Sequence, residues 1–278
     1  MHLKLRSFDP SRIPDDKICV FIGKRGYGKS WLMRDVMWHK RNIQSGVVMS
    51  PTEVNTGFWS KYIPDIFIHK DYNSGLLSKI MEKQKTRARQ HGKEKVSPVF
   101  TIIEDCMYDK TLAKDKNARE LFMNGRHLKI FTMITLQYVK SIPPELRSNI
   151  DYVFVLKENN QRNRSKLYEE FFGIIPTAQI FNEILLQTTS DYSALVLDNT
   201  STSSKIEDNV FWYKAKDRGT FRVGGDRYWR FHESFYRSPS GRAGSDSDSD
   251  EGGKKGERRL ISVDEVCGGA KGRGRARR

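Results

Sequence analysis

Cysteine is scarce in this chain, with three residues in 278, at positions 19, 106 and 267. They are far apart, and two of them sit inside apolar runs. A disulfide framework is therefore excluded, and the pattern reads as that of a reducing compartment. Histidine is also sparse, and no CxxC or His/Cys cluster has the spacing of a zinc site. No apolar run approaches the ~20 residues a membrane helix needs. The opening stretch, MHLKLRSFDPSRIPDD, lacks the apolar centre of a secretory leader, so neither a membrane span nor secretion is expected. No internal repeat is visible. The length suits one large α/β domain with appendages, able to bury its core without staples.

Acidic residues are outnumbered, 34 Asp and Glu against 49 Lys and Arg, for a net charge of +15. Residues 238–278 hold ten basic and seven acidic side chains, so most of the excess lies on residues 1–237. A balance of this kind favours polyanionic partners, nucleic acid first and an anionic surface second.

Three segments follow from composition: an N-terminal arm (1–16), a domain (17–237) and a low-complexity tail (238–278). In the domain, short apolar runs alternate with helical stretches. Strands are predicted at 17–22, 46–50, 65–70, 98–105, 129–137, 151–158, 193–199 and 210–215. Helices are predicted at 29–42, 74–91, 112–127, 163–172 and 177–189. This alternation implies a mainly parallel sheet covered on both faces. The tail is Gly/Ser/Asp-rich, ends in the basic GGAKGRGRARR, and carries one short apolar segment at 260–266. Its composition cannot build a core.

Residues Gly23-Lys24-Arg25-Gly26-Tyr27-Gly28-Lys29-Ser30 match GxxxxGK[ST] at every specified position, between a predicted strand and a predicted helix. In that setting glycines let backbone N–H groups surround phosphate oxygens. The helix beginning near Lys29 adds its free N–H groups and the positive end of its dipole. Lys29 then reaches the β- and γ-phosphates of ATP, and the Ser30 hydroxyl ligates Mg²⁺. Lys24 and Arg25 lie inside the loop but outside its specified positions, free to face the phosphates or a neighbouring subunit.

Hydrolysis needs acids as well. VFTIIEDC ends a run of β-formers in Glu104 and Asp105, with at least one strand between it and the phosphate loop. One branch of the NTPases uses such a pair, one acid holding Mg²⁺ and the other polarising the attacking water. By position Glu104 holds the metal and Asp105 is the base. That branch has Asp before Glu, and the inverted order here leaves the division of labour open. Gln137 ends the next strand, where it can sense the γ-phosphate or orient water. Arg126 precedes that strand and Arg147 follows it. Either can neutralise transition-state charge as an arginine finger, in its own or a neighbouring subunit.

Taken together, VFIGKRGYGKSWLMRD, FTIIEDCMYD, NGRHLKIFTMITLQY, PPELRSNIDYVFVLKE and LVLDNTSTSSKIEDNVFWYKA resemble the genome-packaging ATPases of large nucleo-cytoplasmic DNA viruses, the poxvirus-like branch of the FtsK–HerA superfamily. The segments cover most of residues 17–232, in order. The resemblance implies an α/β, RecA-like ASCE P-loop NTPase with central strand order 5-1-4-3-2. It also implies a hexameric or pentameric ring that hydrolyses ATP to push double-stranded DNA into a preformed capsid. Lys29 and Ser30 take the Walker A roles, Glu104 and Asp105 Walker B, and Gln137 the sensor. Arg126 becomes the preferred finger, acting in trans, with Arg147 as the fallback. Implied partners are duplex DNA without sequence preference and proteins of the capsid or inner-membrane packaging site. The implied location is the viral factory in the host cytoplasm, or the virion.

A duplex motor grips phosphates rather than reading bases. The most basic internal stretch is 78–95, with seven Lys/Arg and two Glu. It reads equally as a DNA-facing element and as a solvated helix face. Two other function classes satisfy part of the pattern. A DNA-remodelling or helicase-like ATPase of the same superfamily differs in not requiring a capsid. A P-loop switch or small-molecule kinase predicts a separate acceptor pocket and no stimulation by DNA.

Overall fold

The computed structural model describes residues 4–106, 112–139 and 142–236. The predicted tail 238–278, with Cys267 and the segment 260–266, lies outside the described residues.

The strands are β1 (Arg6–Ser7), β2 (Ile18–Ile22), β3 (Gly46–Met49), β4 (Ile68–His69), β5 (Val99–Ile103), β6 (Ile130–Leu136), β7 (Tyr152–Val155), β8 (Ala194–Asp198) and β9 (Val210–Tyr213). They form one sheet in the order β1-β9-β8-β7-β2-β6-β5-β3-β4. From β7 across to β4 every neighbouring pair is parallel. β8 and β9 add an antiparallel wing. Counted from the strand before the phosphate loop, with two-residue β4 left aside, the centre reads 5-1-4-3-2, as the resemblance implies.

The α-helices are α1 (Lys29–His39), α2 (Glu53–Thr56), α3 (Ser74–His91), α4 (Lys116–Asn124), α5 (Pro144–Arg147), α6 (Gln161–Phe171), α7 (Ala178–Thr188), α8 (Ile206–Asn209) and α9 (Asp226–Phe235). None of the described helices is long and apolar enough to cross a membrane.

Two cores flank the sheet, and the period-2 alternation of each strand divides it between them. In β2, Ile18, Val20 and Ile22 face one core with Leu77, Ile80 and Met81 of α3. Cys19 and Phe21 face the other, with Leu32, Met33, Val36 and Met37 of α1. The far end of α1 is fixed by Asp35, which is fully buried. Its carboxylate accepts the Tyr213 hydroxyl at 2.6 Å, the Lys216 N–H at 2.7 Å and Arg218 Nε at 2.6 Å.

Three local expectations are corrected. The strand predicted at 65–70 is a 3₁₀ turn (Asp65–Phe67) followed by only two ladder residues, Ile68 and His69. Pro64 sets the entry, and its missing N–H ends any earlier ladder. The helix predicted at 112–127 is split into Leu112–Lys114, α4 and Gly125–Leu128. Asp115 causes the first break: its backbone is extended and its side chain accepts the Ala118 N–H at 3.1 Å, a helix N-cap. The first helix ends at His39 rather than at 42, with the Lys40 N–H closing onto the Met37 carbonyl.

Within residues 1–16, β1 pairs in parallel with Phe211–Trp212. Two ladder residues contribute little, at about 1 kcal/mol per hydrogen bond. The anchor is Phe8, buried against the rings of Tyr152, Phe154, Phe211 and Tyr213 at centroid distances of 5.6–6.4 Å. Burying such a ring contributes about 1.5–3 kcal/mol, on a par with two such bonds.

Candidate active site

Parallel register brings several strand ends to one edge of the sheet. Ile22 of β2 pairs with Leu136 of β6 and Val155 of β7, and Ile103 of β5 lies opposite Ile134 of β6. The residue following each strand therefore emerges on the same edge: Gly23, Glu104, Gln137 and Leu156.

From β2 the chain enters the glycine loop, tied down by the Gly23 N–H donating to the Leu136 carbonyl at 3.1 Å. Gly26 (φ 82°) and Gly28 (φ 90°) are left-handed, a conformation costly for other residues. α1 starts at Lys29 with no side-chain cap, which leaves its first-turn amides facing the loop. Lys29 is 7% exposed and lies across the cradle, its Nζ donating to the carbonyls of Gly23 at 2.8 Å and Lys24 at 3.0 Å. Burial lowers its pKa, while the Asp105 and Glu104 carboxylates pull the other way.

Ser30 Oγ donates to Glu104 Oε1, so the last loop residue and the acid after β5 meet directly. The other carboxylate oxygen of Glu104 accepts Trp59 Nε1–H at 2.5 Å and the Ser50 hydroxyl at 3.3 Å. Glu104 is 4% exposed, and burial pushes its pKa up, an effect the donors partly offset. Asp105 follows in the left-handed region (φ 51°) and is half-buried. Its N–H is held by Thr135 Oγ1 of β6 at 2.8 Å.

Gln137 is exposed beside a cavity of about 660 Å³, shared with Ile22, Glu158 and the first turns of α6. The structure thus gathers Gly23–Ser30, Glu104 and Asp105 in one place, with Gln137 at its rim. Lys24 turns to buried Glu158, Nζ to Oε1 at 3.2 Å, whereas Arg25 is exposed. The two candidate arginines lie elsewhere. Arg126 is exposed in the turn before β6, at the opposite end of that strand from Gln137, and its guanidinium has no partner among the described residues. Arg147 is committed within the chain, to Glu170 at 2.7 Å and the Ile142 carbonyl at 2.7 Å.

Four contributors escaped the sequence reading: Trp59, Ser50, Thr135 and Glu158. The first three act on the acids from distant positions, Trp59 from 45 residues away, and no local spacing encodes that. Glu158 had a visible signal, an acid directly after an apolar strand. Among the described residues no group of three or more His, Cys, Asp or Glu is placed to hold a metal ion. Mg²⁺ usually takes one or two protein oxygens and fills its shell with phosphate and water. The touching Ser30 hydroxyl and Glu104 carboxylate are oxygen donors of that kind.

A parallel 5-1-4-3-2 sheet whose first strand runs through a GxxxxGKS loop into a helix, faced by an acid two strands away, defines the P-loop NTPase fold. No protein-family model matches the chain. It is 36% identical over 247 residues to an uncharacterized protein of Acanthamoeba polyphaga mimivirus, covering 86% of each chain. It is 41% identical over 196 residues to the uncharacterized protein 088R of Invertebrate iridescent virus 3, covering 70% of this chain and 74% of that one. The chain belongs to the family of these large-DNA-virus proteins. Among solved structures, the genome packaging NTPase B204 from Sulfolobus turreted icosahedral virus 2 shares the fold at a TM-score of 0.52 and 15% identity. That match covers 73% of this chain and all of B204.

Proposed function

We propose that this chain is an ATP-hydrolysing motor that moves double-stranded viral DNA into a preformed capsid, working as a homo-oligomeric ring. The observation that carries hydrolysis is the direct meeting of Ser30 and Glu104 beside Lys29, with Asp105 alongside. Packaging is supported by the family's viral membership, by the fold shared with a packaging NTPase, and by the excess of 49 basic over 34 acidic residues.

In this reading the loop amides and Lys29 bind the phosphates. Ser30 and Glu104 hold Mg²⁺, which supplies positive charge against the phosphate oxygens when bound. The buried, three-donor setting of Glu104 suits a fixed metal-side acid. Asp105, half-buried and aimed by the Thr135 bond, suits the group that takes the proton from water. Gln137 orients that water from the rim. Arg126 completes the site of a neighbouring subunit, since it lies at the far end of β6 from its own; Arg147, already paired, is the weaker finger. The ring acts at the viral factory or in the virion, alongside capsid or packaging-site proteins. Membership of the poxvirus-like branch belongs to the same proposal.

The test is the ATPase rate with and without duplex DNA, with native mass measured on the same sample. The wild type should be stimulated by DNA. Lys29→Ala and Asp105→Asn should abolish turnover, and robust activity in both would sink the assignment. DNA uptake that depends on capsids separates a packaging motor from a remodelling ATPase. Phosphate transfer to a small acceptor without any effect of DNA would instead favour a kinase.

A further inference from the structure

A second cleft, of about 260 Å³, opens beside the phosphate loop, lined by Gly26, Tyr27, Leu156, Lys157, Ser190 and Tyr192 among others. It is smaller than the ~300–1,000 Å³ typical of a pocket for a whole drug-sized ligand. A single ring system suits it better than an entire nucleotide.

Tyr192 is the unusual residue there. It is 73% exposed, which is high for an aromatic ring with no solvating role to fill. Its backbone is left-handed, with φ 64°. For a bulky side chain that conformation is a genuine outlier, held only where surrounding contacts over-determine it. Here they do. Asp191 accepts the Ser193 hydroxyl at 2.7 Å and Lys214 Nζ at 2.7 Å, which clamps the turn on both sides of residue 192. The clamp directs the ring at the phosphate loop: a methyl group placed on Gly28 would lie 3.8 Å from Tyr192 Cδ1. Tyr27, within the loop itself, lines the same cleft and is packed against the core.

We propose that Tyr192, with Tyr27 beside it in the cleft, is the platform on which the base of the bound nucleotide stacks. The inference rests on the nucleotide-site reading and adds the group that recognises the base rather than the phosphates. Phosphates in the glycine cradle leave the rest of the nucleotide to run past Gly26 and Gly28, and this cleft begins there. Aromatic faces accept any base, because every base presents a π-face. The Thr189 and Ser190 hydroxyls donate to the carbonyls of Leu185 at 2.7 Å and Gln187 at 3.2 Å, so the cleft offers ring faces more readily than hydroxyl donors.

The experiment compares ATP with inorganic tripolyphosphate, both with Mg²⁺, by calorimetric titration of wild type, Tyr192→Asn and Tyr192→Phe. Asn tolerates the left-handed conformation, so Tyr192→Asn should melt at or above the wild-type temperature without ligand. It should bind ATP about tenfold more weakly and tripolyphosphate unchanged. Tyr192→Phe should bind both like the wild type. Unchanged ATP affinity in Tyr192→Asn overturns the platform, and a parallel change in self-association would then assign the ring to a subunit contact. Equal losses for ATP and tripolyphosphate also overturn it, since the ring would then only support the loop. A wild type that binds tripolyphosphate but gains nothing from the base rejects the platform alone; one that binds neither rejects the nucleotide site with it.

Discussion

Glu104 is held in its charged form by three donors against the cost of burial, and the balance leaves its pKa raised. The folded protein then holds that proton more tightly than the unfolded chain, whose carboxylate titrates near ~4.3. Its contribution to stability is present below that pH and is lost as pH rises through the raised folded value. Melting of ligand-free protein in EDTA should show this. The stability of wild type relative to Glu104→Gln should fall as pH increases from the acid range toward neutrality. A flat difference would mean that burial does not govern this acid. Trp59→Phe leaves a small void in a fully buried site and removes one donor, so Glu104 moves further up. In EDTA the fall of stability with rising pH should therefore extend to higher pH than in the wild type. A loss that is independent of pH would point to a purely structural Trp59. Such a tryptophan is illegible in sequence: its indole acts across 45 residues, whereas Lys29 and Ser30 lie inside one contiguous motif.

Strands β2, β5, β6 and β7 were legible because each is a run of β-branched and aromatic residues that is buried on both faces. β1 was not, because Arg6 and Ser7 are exposed and owe their place to Phe8. The break before α4 was hidden for a related reason. Periodicity reads through Asp115, whereas the fold uses it as a hub for the Tyr72 and Ser74 hydroxyls and the Ala118 N–H. Asp115→Ala therefore removes a cap and leaves two hydroxyls without their acceptor. It should cost about 2 kcal/mol in urea denaturation, chiefly as a lower midpoint with unchanged slope. A change below about 0.5 kcal/mol would show that α4 is positioned by its apolar face alone.

At the scale of the molecule, the nucleotide loop and Arg126 occupy opposite ends of β6, which spans seven residues. At about 3.3 Å per residue the strand alone separates them by roughly 20 Å, too far for one subunit to supply both to the same phosphate. Arg126→Ala should bind ATP normally and lose about a thousandfold in turnover. Mixed with Lys29→Ala subunits, it should regain part of the activity, because some interfaces then pair an intact cradle with an intact arginine. No recovery at any ratio, with mixed rings shown to form, would exclude action in trans.

The sheet is closed at one edge by an early and a late segment of the described chain: Arg6–Ser7 lie along Phe211–Trp212, and Phe8 is wedged among rings from β7 and β9. During synthesis the first of these segments leaves the ribosome long before its partner exists. The central parallel strands can assemble while Phe8 is still waiting for β9, and the edge seals only after residue 213 has emerged. Pairings this distant in sequence are late and slow in folding. A protease or a holding chaperone offered during translation should therefore find the N-terminal segment accessible until β9 arrives.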